Sequence, residues 1–135
     1  MSPAYLDSSA LVVILNEEPG CNDLLERIKS REGICITSPI SVYEATTSIA
    51  GRHPTSDQFE TARKRVYALL DVLEAEIVAC DAGSLSAALD HYFEIISQTR
   101  FADETSPFIL GSSFAFAVSK RANAEVIHVG NPFLE

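Results

Sequence analysis

Ala4-Tyr5-Leu6-Asp7-Ser8-Ser9-Ala10-Leu11-Val12-Val13-Ile14-Leu15 is the stretch on which the fold turns. Three apolar residues stop at an acid, two serines follow, and a second apolar run begins. That order predicts a buried strand ending at Asp7, then a helix capped by Ser8 or Ser9. A short strand that is apolar on both faces belongs in a parallel sheet with helices on either side.

The pattern recurs along the chain. Pro19-Gly20 breaks the first helix, and Cys21 to Lys29 carries Leu24, Leu25 and Ile28 at helical spacing. Gly33 leads into the strand Ile34-Cys35-Ile36-Thr37. Ser38-Pro39 opens a helix through Ala50, with serine as cap and proline in the first turn. After the loop Gly51-Arg52-His53-Pro54, Thr55 or Ser56 caps what reads as the longest helix, about Asp57 to Leu73. Its stripe is Phe59, Ala62, Val66, Leu69, Leu70 and Leu73. Glu76-Ile77-Val78-Ala79-Cys80 is a third strand, and Asp81 both ends it and caps a helix through Ile96. Ser97 to Pro107 has no period and reads as a loop. Ile109 to Ala122 is a helix, and Val126-Ile127-His128-Val129 a last strand closed by Gly130-Asn131-Pro132. Strands alternating with helices predict one α/β domain over residues 1–135. Its expected architecture is three-layer α/β/α, with a central, mostly parallel sheet of about four strands.

Bulk properties narrow the class. A chain of 135 residues with 47% hydrophobic and 21% charged residues can bury a core without disulfides or a structural metal. Cys21, Cys35 and Cys80 lie far apart and form no zinc or redox motif, which predicts free thiols in a reducing compartment. The opening Met1–Asp7 lacks a basic leader, and no stretch nears the roughly 18 apolar residues of a membrane span, so a cytoplasmic protein is expected. A formal net charge of −9 argues against passive gripping of phosphates. It is compatible with an acidic pocket that holds divalent cations, because those ions invert the local charge. A basic partner is equally compatible.

In open parallel sheets, ligands bind beyond the carboxyl ends of the strands. Asp7 follows the first strand, Ser38 the second, Asp81 the third and Asn131 the last, so chemistry is expected there and on the adjoining helix starts.

Four stretches, in order, resemble the PIN-domain family, and within it the VapC ribonuclease toxins of toxin–antitoxin pairs. Tyr5-Leu6-Asp7-Ser8-Ser9-Ala10-Leu11 resembles the family's opening, where the strand-end aspartate is the first metal ligand. Thr37-Ser38-Pro39-Ile40-Ser41-Val42-Tyr43-Glu44 resembles the second element, with its helix glutamate. Leu110-Gly111-Ser112-Ser113-Phe114-Ala115-Phe116-Ala117 resembles the third, which in VapC-like proteins carries Gly-Asp before Phe-Ala-Tyr-Ala. Gly130-Asn131-Pro132-Phe133 resembles the closing Gly-Asp-Asp-Phe. The resemblance implies a PIN-like fold and an endoribonuclease using Mg²⁺ or Mn²⁺. It also implies catalytic positions at Asp7, Glu44, Ser112 and Asn131, with Asp7 and Glu44 as the metal ligands. The implied partners are an RNA substrate, a cognate antitoxin docking near the acidic pocket, and a second copy in a homodimer.

The chemistry of the acids stands apart from the resemblance. Hydrolysing a phosphodiester needs a hydroxide-like nucleophile and neutralised phosphate charge, and a hard divalent ion supplies both. Mg²⁺ takes oxygen ligands and is often held by one or two carboxylates plus waters and substrate phosphates. The departures lie at Ser112 and Asn131, which stand where the family has its third and its late aspartate, and they remove up to two negative charges. A second reading therefore stands beside the nuclease: an inactive PIN fold that engages an antitoxin or RNA without cleavage.

Other candidates have ordinary explanations. Asp103 and Glu104 read as solvated loop acids, with compensation for the lost charge as their alternative role; Asp81 reads as a helix cap. His53, His91 and His128 show no ligand spacing, and the serines lack a Gly-x-Ser-x-Gly elbow. Arg63-Lys64-Arg65 reads as a solvated helix face, and Lys120-Arg121 complements a helix C-terminus. Leu11, Leu15, Leu24 and Leu25 suit either a docking groove or the core.

Overall fold

The computed structural model describes residues 1–98 and 102–134, with 102–109 and 132 described in backbone only. The chain runs β1 (Ala4–Leu6), α1 (Ser8–Leu15), α2 (Cys21–Lys29), β2 (Cys35–Thr37), α3 (Pro39–Ala50), α4 (Ser56–Val72), β3 (Glu76–Ile77), α5 (Ala82–Gln98), α6 (Ala102–Arg121) and β4 (Glu125–Ile127), ending in a 3₁₀ turn at Pro132–Leu134. The four strands form one parallel sheet in the order β3-β2-β1-β4. Helices cover both faces, as expected of three-layer α/β/α architecture.

β1 is the hub. Ala4 pairs with Cys35 on one side and Glu125 on the other, so β1 has no free edge. Its residues alternate between the layers, because successive side chains of a strand point to opposite faces. Ala4 and Leu6 join the larger core with Leu11, Val42, Val66 and Leu70 from α1, α3 and α4. Tyr5 joins Ile36, Ala115 and Val118 on the α6 side, where α5 packs outside α6. Burial on both faces explains why β1 reads as an unbroken apolar run.

Several boundaries depart from the sequence expectation. α1 is capped by Asp7 rather than Ser8 or Ser9: Asp7 is extended, and its carboxylate accepts the Ser9 N–H at 3.4 Å. Thr55 caps α4 in a full capping box with Gln58. α6, not α4, is the longest helix, and its backbone already runs from Ala102 through the segment expected to be a loop. β3 and β4 are shorter than predicted because their partners are short: β2 and β1 each offer three residues. Past Ile127 the chain leaves the sheet, and the Val129 N–H turns to the Ser9 hydroxyl at 3.0 Å. Leu11 and Leu24 are buried in the core, with half-buried Leu15 and Leu25 packed against it.

Candidate active site

Beyond the carboxyl ends of β1 and β4, a broad open cleft runs between α1 and α3 on one side and α5 and α6 on the other. Asp7, Glu44, Ser112 and Asn131 all line it. The four positions singled out from sequence, separated by up to 124 residues, thus share one pocket.

Asp7 sits where β1 becomes α1 and is only 1% exposed. Its N–H donates to the Ile127 carbonyl at 3.0 Å, which ties it to β4. Its Oδ2 accepts the Ser9 hydroxyl at 2.7 Å. Since Ser9 Oγ also accepts the Val129 N–H, one serine fixes the carboxylate and the turn leading to Asn131.

Glu44 comes from α3, whose start is pinned to β1. The Tyr5 hydroxyl lies 2.7 Å from both Ser38 Oγ and Ser41 Oγ, all three residues being fully buried. Burial pushes that phenol up to about 12, so it stays a neutral hydrogen-bonding hub. Because Tyr5 is two residues before Asp7 and Ser38 caps the Glu44 helix, this triad sets the spacing of the two acids. Glu44 Oε1 accepts the Ser8 hydroxyl at 3.2 Å. Its carboxyl group rests on the backbone of α6 at Gly111, where an added Cβ would overlap it. Burial, then the nearby negative charge of Asp7, push Glu44 up to about 7, partly offset by the Ser8 hydrogen bond. Two carboxylates sharing a site resist ionising together, so the pocket favours either a held proton or a cation.

The opposite half is neutral. Asn131 Nδ2 lies 2.9 Å from Ser112 Oγ, and Asn131 Oδ1 accepts the Phe133 N–H at 3.1 Å. Ser112 is 2% exposed.

His91 also lines the cleft, a residue that sequence spacing could not single out. Its Nδ1 lies 3.0 Å from Ser113 Oγ, and its ring stacks on Phe116 with centroids 4.2 Å apart. Burial lowers its pKa, favouring the neutral ring. Sequence reasoning missed the roles of Ser9 and Gly111 too. Ser9 was visible only as a possible cap, and nothing in the sequence says that Gly111 faces Glu44.

The remaining candidates stand elsewhere. Asp81 caps α5 through the Ser84 N–H at 2.9 Å and pairs with Arg121, which holds its carboxyl down at about 2. It makes no contribution to the cleft lining. Arg63 faces Glu60 at 3.6 Å and Arg65 bonds the Leu15 carbonyl, and the basic triplet of α4 is not part of the cleft lining. His53 is exposed and His128 half-buried. The side chains of Asp103 and Glu104 lie outside the described residues.

As a donor set, Asp7 and Glu44 offer hard carboxylate oxygens, flanked by the neutral oxygens of Ser112 and Asn131. That chemistry fits Mg²⁺ or Mn²⁺ and not a thiolate-bound ion. Among the described residues, no group of three or more His, Cys, Asp or Glu is placed to hold a metal. The fit is therefore to an ion that keeps much of its water.

The sequence profile of the PIN domain family matches residues 4–133, nearly the whole chain. The chain belongs to the PIN-domain family. Within that family it is VapC-like: it is 30% identical over 138 residues to a VapC ribonuclease of Rhizobium meliloti (strain 1021), covering 96% of this chain and 95% of that protein. Its fold is that of VapC20 of Mycobacterium tuberculosis, described as a sarcin-ricin loop cleaving toxin, with a TM-score of 0.66 at 13% identity over 96% of this chain and 92% of that one. It is also similar to VapBC2 from Rickettsia felis bound to a DNA fragment from their promoter. There the TM-score is 0.55 at 17% identity, over 93% and 98% of the two chains. The PIN fold thus brings its strand-end acid and its helix glutamate together here, while two further positions carry neutral side chains.

Proposed function

We propose that this PIN domain is a VapC-like endoribonuclease dependent on Mg²⁺ or Mn²⁺, held by Asp7 and Glu44. The observation that carries the reading is the convergence of these two carboxylates, from β1 and α3, on one cleft where neither has a cationic side chain beside it among the described contacts. When bound, such an ion supplies positive charge that acidifies an attacking water and neutralises the phosphate. Ser9 and Ser8 orient the two carboxylates, and Gly111 leaves room for Glu44. Ser112 and Asn131 border the space where a phosphate would lie, offering neutral polar contacts. The partners proposed with this reading are RNA as substrate, an antitoxin, supported by the likeness to the VapBC2 structure, and a second copy of the chain. The proposed site of action is the cytoplasm; no helix among the described residues is long and apolar enough to cross a membrane.

The test is cleavage of a structured RNA by the purified protein in Mg²⁺ and Mn²⁺, beside Asp7→Ala and the double change Ser112→Asp/Asn131→Asp. Cleavage by the native chain that Asp7→Ala removes is the expected result. Silence from the native chain with activity in the double variant would replace the nuclease reading by that of an inactive PIN fold kept for binding.

A further inference from the structure

The neutral half of the cleft does something that two acids there could not do unaided. Asn131 follows β4 and Gly130, in the turn that closes the pocket, whereas Ser112 sits in α6. Their side chains touch, with Asn131 Nδ2 2.9 Å and Oδ1 3.2 Å from Ser112 Oγ. A single hydroxyl cannot serve both ends of one amide well, and the backbone decides between them. Oδ1 accepts the Phe133 N–H at 3.1 Å, which fixes that end of the amide as the oxygen and leaves Nδ2, at 2.9 Å, as the donor to Ser112. The amide therefore works as a two-ended tie, with its oxygen folding the C-terminal turn and its nitrogen fastening that turn to α6.

Carboxylates at both positions would face each other at hydrogen-bond distance. Like charges that close repel, and they need a proton or a cation between them to stay together. The hydrogen-bonded pair needs neither.

We infer that the Ser112–Asn131 tie takes the structural place of a second divalent cation, holding the C-terminal turn on α6 without metal and leaving a pocket that binds one ion, at Asp7 and Glu44. The clause about the remaining ion rests on the proposed function; the clause about the tie does not. In consequence, the turn that carries Asn131 is ordered in the metal-free protein.

The two positions also make an asymmetric prediction. Asn131→Asp alone keeps a hydrogen bond, because Ser112 can donate to the new carboxylate. Ser112→Asp alone keeps one as well, because Asn131 Nδ2 can donate to it. Only the double change creates the facing pair of charges, so the effects of the single changes should not add.

The experiment is a double-mutant cycle of melting temperatures at neutral pH, run in EDTA and in millimolar Mn²⁺, with Mn²⁺ stoichiometry of each protein read by electron paramagnetic resonance. In EDTA each single variant should melt below the native chain, because it adds one carboxylate to the cleft of Asp7 and Glu44. The double variant should melt at least about 5 °C below the sum of the two single shifts, the displacement expected from coupling of contacting charges. Mn²⁺ should restore the double variant more than it raises the native chain. The native chain should bind about one ion and the double variant more than one. Additive shifts in EDTA would overturn the tie, whatever the metal result. Two ions bound by the native chain would overturn the one-ion pocket. No ion bound by the native chain, with non-additive shifts in EDTA, would leave the tie standing and bring down the metal-dependent reading of the proposed function instead.

Discussion

The two halves of this cleft solve one problem in opposite ways. Buried Ser112 and half-buried Asn131 bond each other, and Asn131 also bonds the backbone, as polar groups shielded from water generally do. Asp7 is a buried and Glu44 a half-buried carboxylate, each with a hydroxyl donor but with one another's charge for company. The first half is complete as it stands. The second is eased by a proton on Glu44 or by a cation between the acids. The difference shows how one cleft can hold unfinished electrostatics in place by finished packing.

The comparison can be broken most directly at Asp7. Asp7→Ala should lower RNA cleavage by more than about a hundredfold, since even loss of a residue that only orients a ligand costs about 10–100-fold. It should also remove any rise in melting temperature on adding Mn²⁺. A variant that keeps both would mean that the charged half is not the reactive one.

Gly111→Ala should separate site from scaffold. A methyl group there overlaps the Glu44 carboxyl, whose flexible end can swing aside, so the fold should survive. Exchanging a helix glycine for alanine contributes up to about 1 kcal/mol of stability. Mn²⁺ affinity by calorimetry should fall by about tenfold while the melting temperature in EDTA holds or rises. A fall in both would mean that Gly111 serves packing rather than Glu44.

pH sharpens the contrast further. The folded protein holds the Glu44 proton up to about pH 7, whereas the unfolded chain releases it near the ordinary glutamate value. Folding therefore takes up a proton between those two points, and stability contributed by the neutral acid is lost as pH rises through the window. The melting temperature of the native chain in EDTA should decline from about pH 5 to pH 7.5 relative to Glu44→Gln, which carries no such proton. Parallel curves would mean that Glu44 ionises freely. Ser9→Ala should have the smallest effect, about 1 kcal/mol in denaturant unfolding, because one hydroxyl links Asp7 to the Val129 N–H. A change within error would mean that water replaces the hydroxyl on both sides.

Much of this was readable in one dimension. The strand-end acid, the Ser38-Pro39 and Thr55 helix starts and the Asp81 cap are local signals, decided by residues within a few positions of one another. The order of the four family-like stretches was equally visible, and it located Asp7, Glu44, Ser112 and Asn131 in one cleft. What was not readable depends on partners far away in sequence. β4 stops at Ile127 because β1 stops at Leu6, 121 residues earlier, and neither length shows in the apolar run Val126–Val129. The start of α6 was missed because a helix segment without apolar periodicity, interrupted by Pro107, offers no period to detect. His91 and Gly111 were opaque for the same reason: their roles are defined by Ser113, Phe116 and Glu44 across a helix interface.

β1 is the first strand made and one of the two inner strands of the sheet, and it waits for its outer neighbour until residues 125–127 exist. At a synthesis rate of about 5–20 residues per second, that wait lasts roughly 6–24 seconds. Throughout it, one edge of β1 lacks its partner, and neither the Val129 turn nor Asn131 is there to complete the cleft. A ribosome that stalls or a message that is cut short thus yields chains with Asp7 and Glu44 but without a finished pocket. The order of the strands along the chain thus makes the cleft the last part of the fold to close.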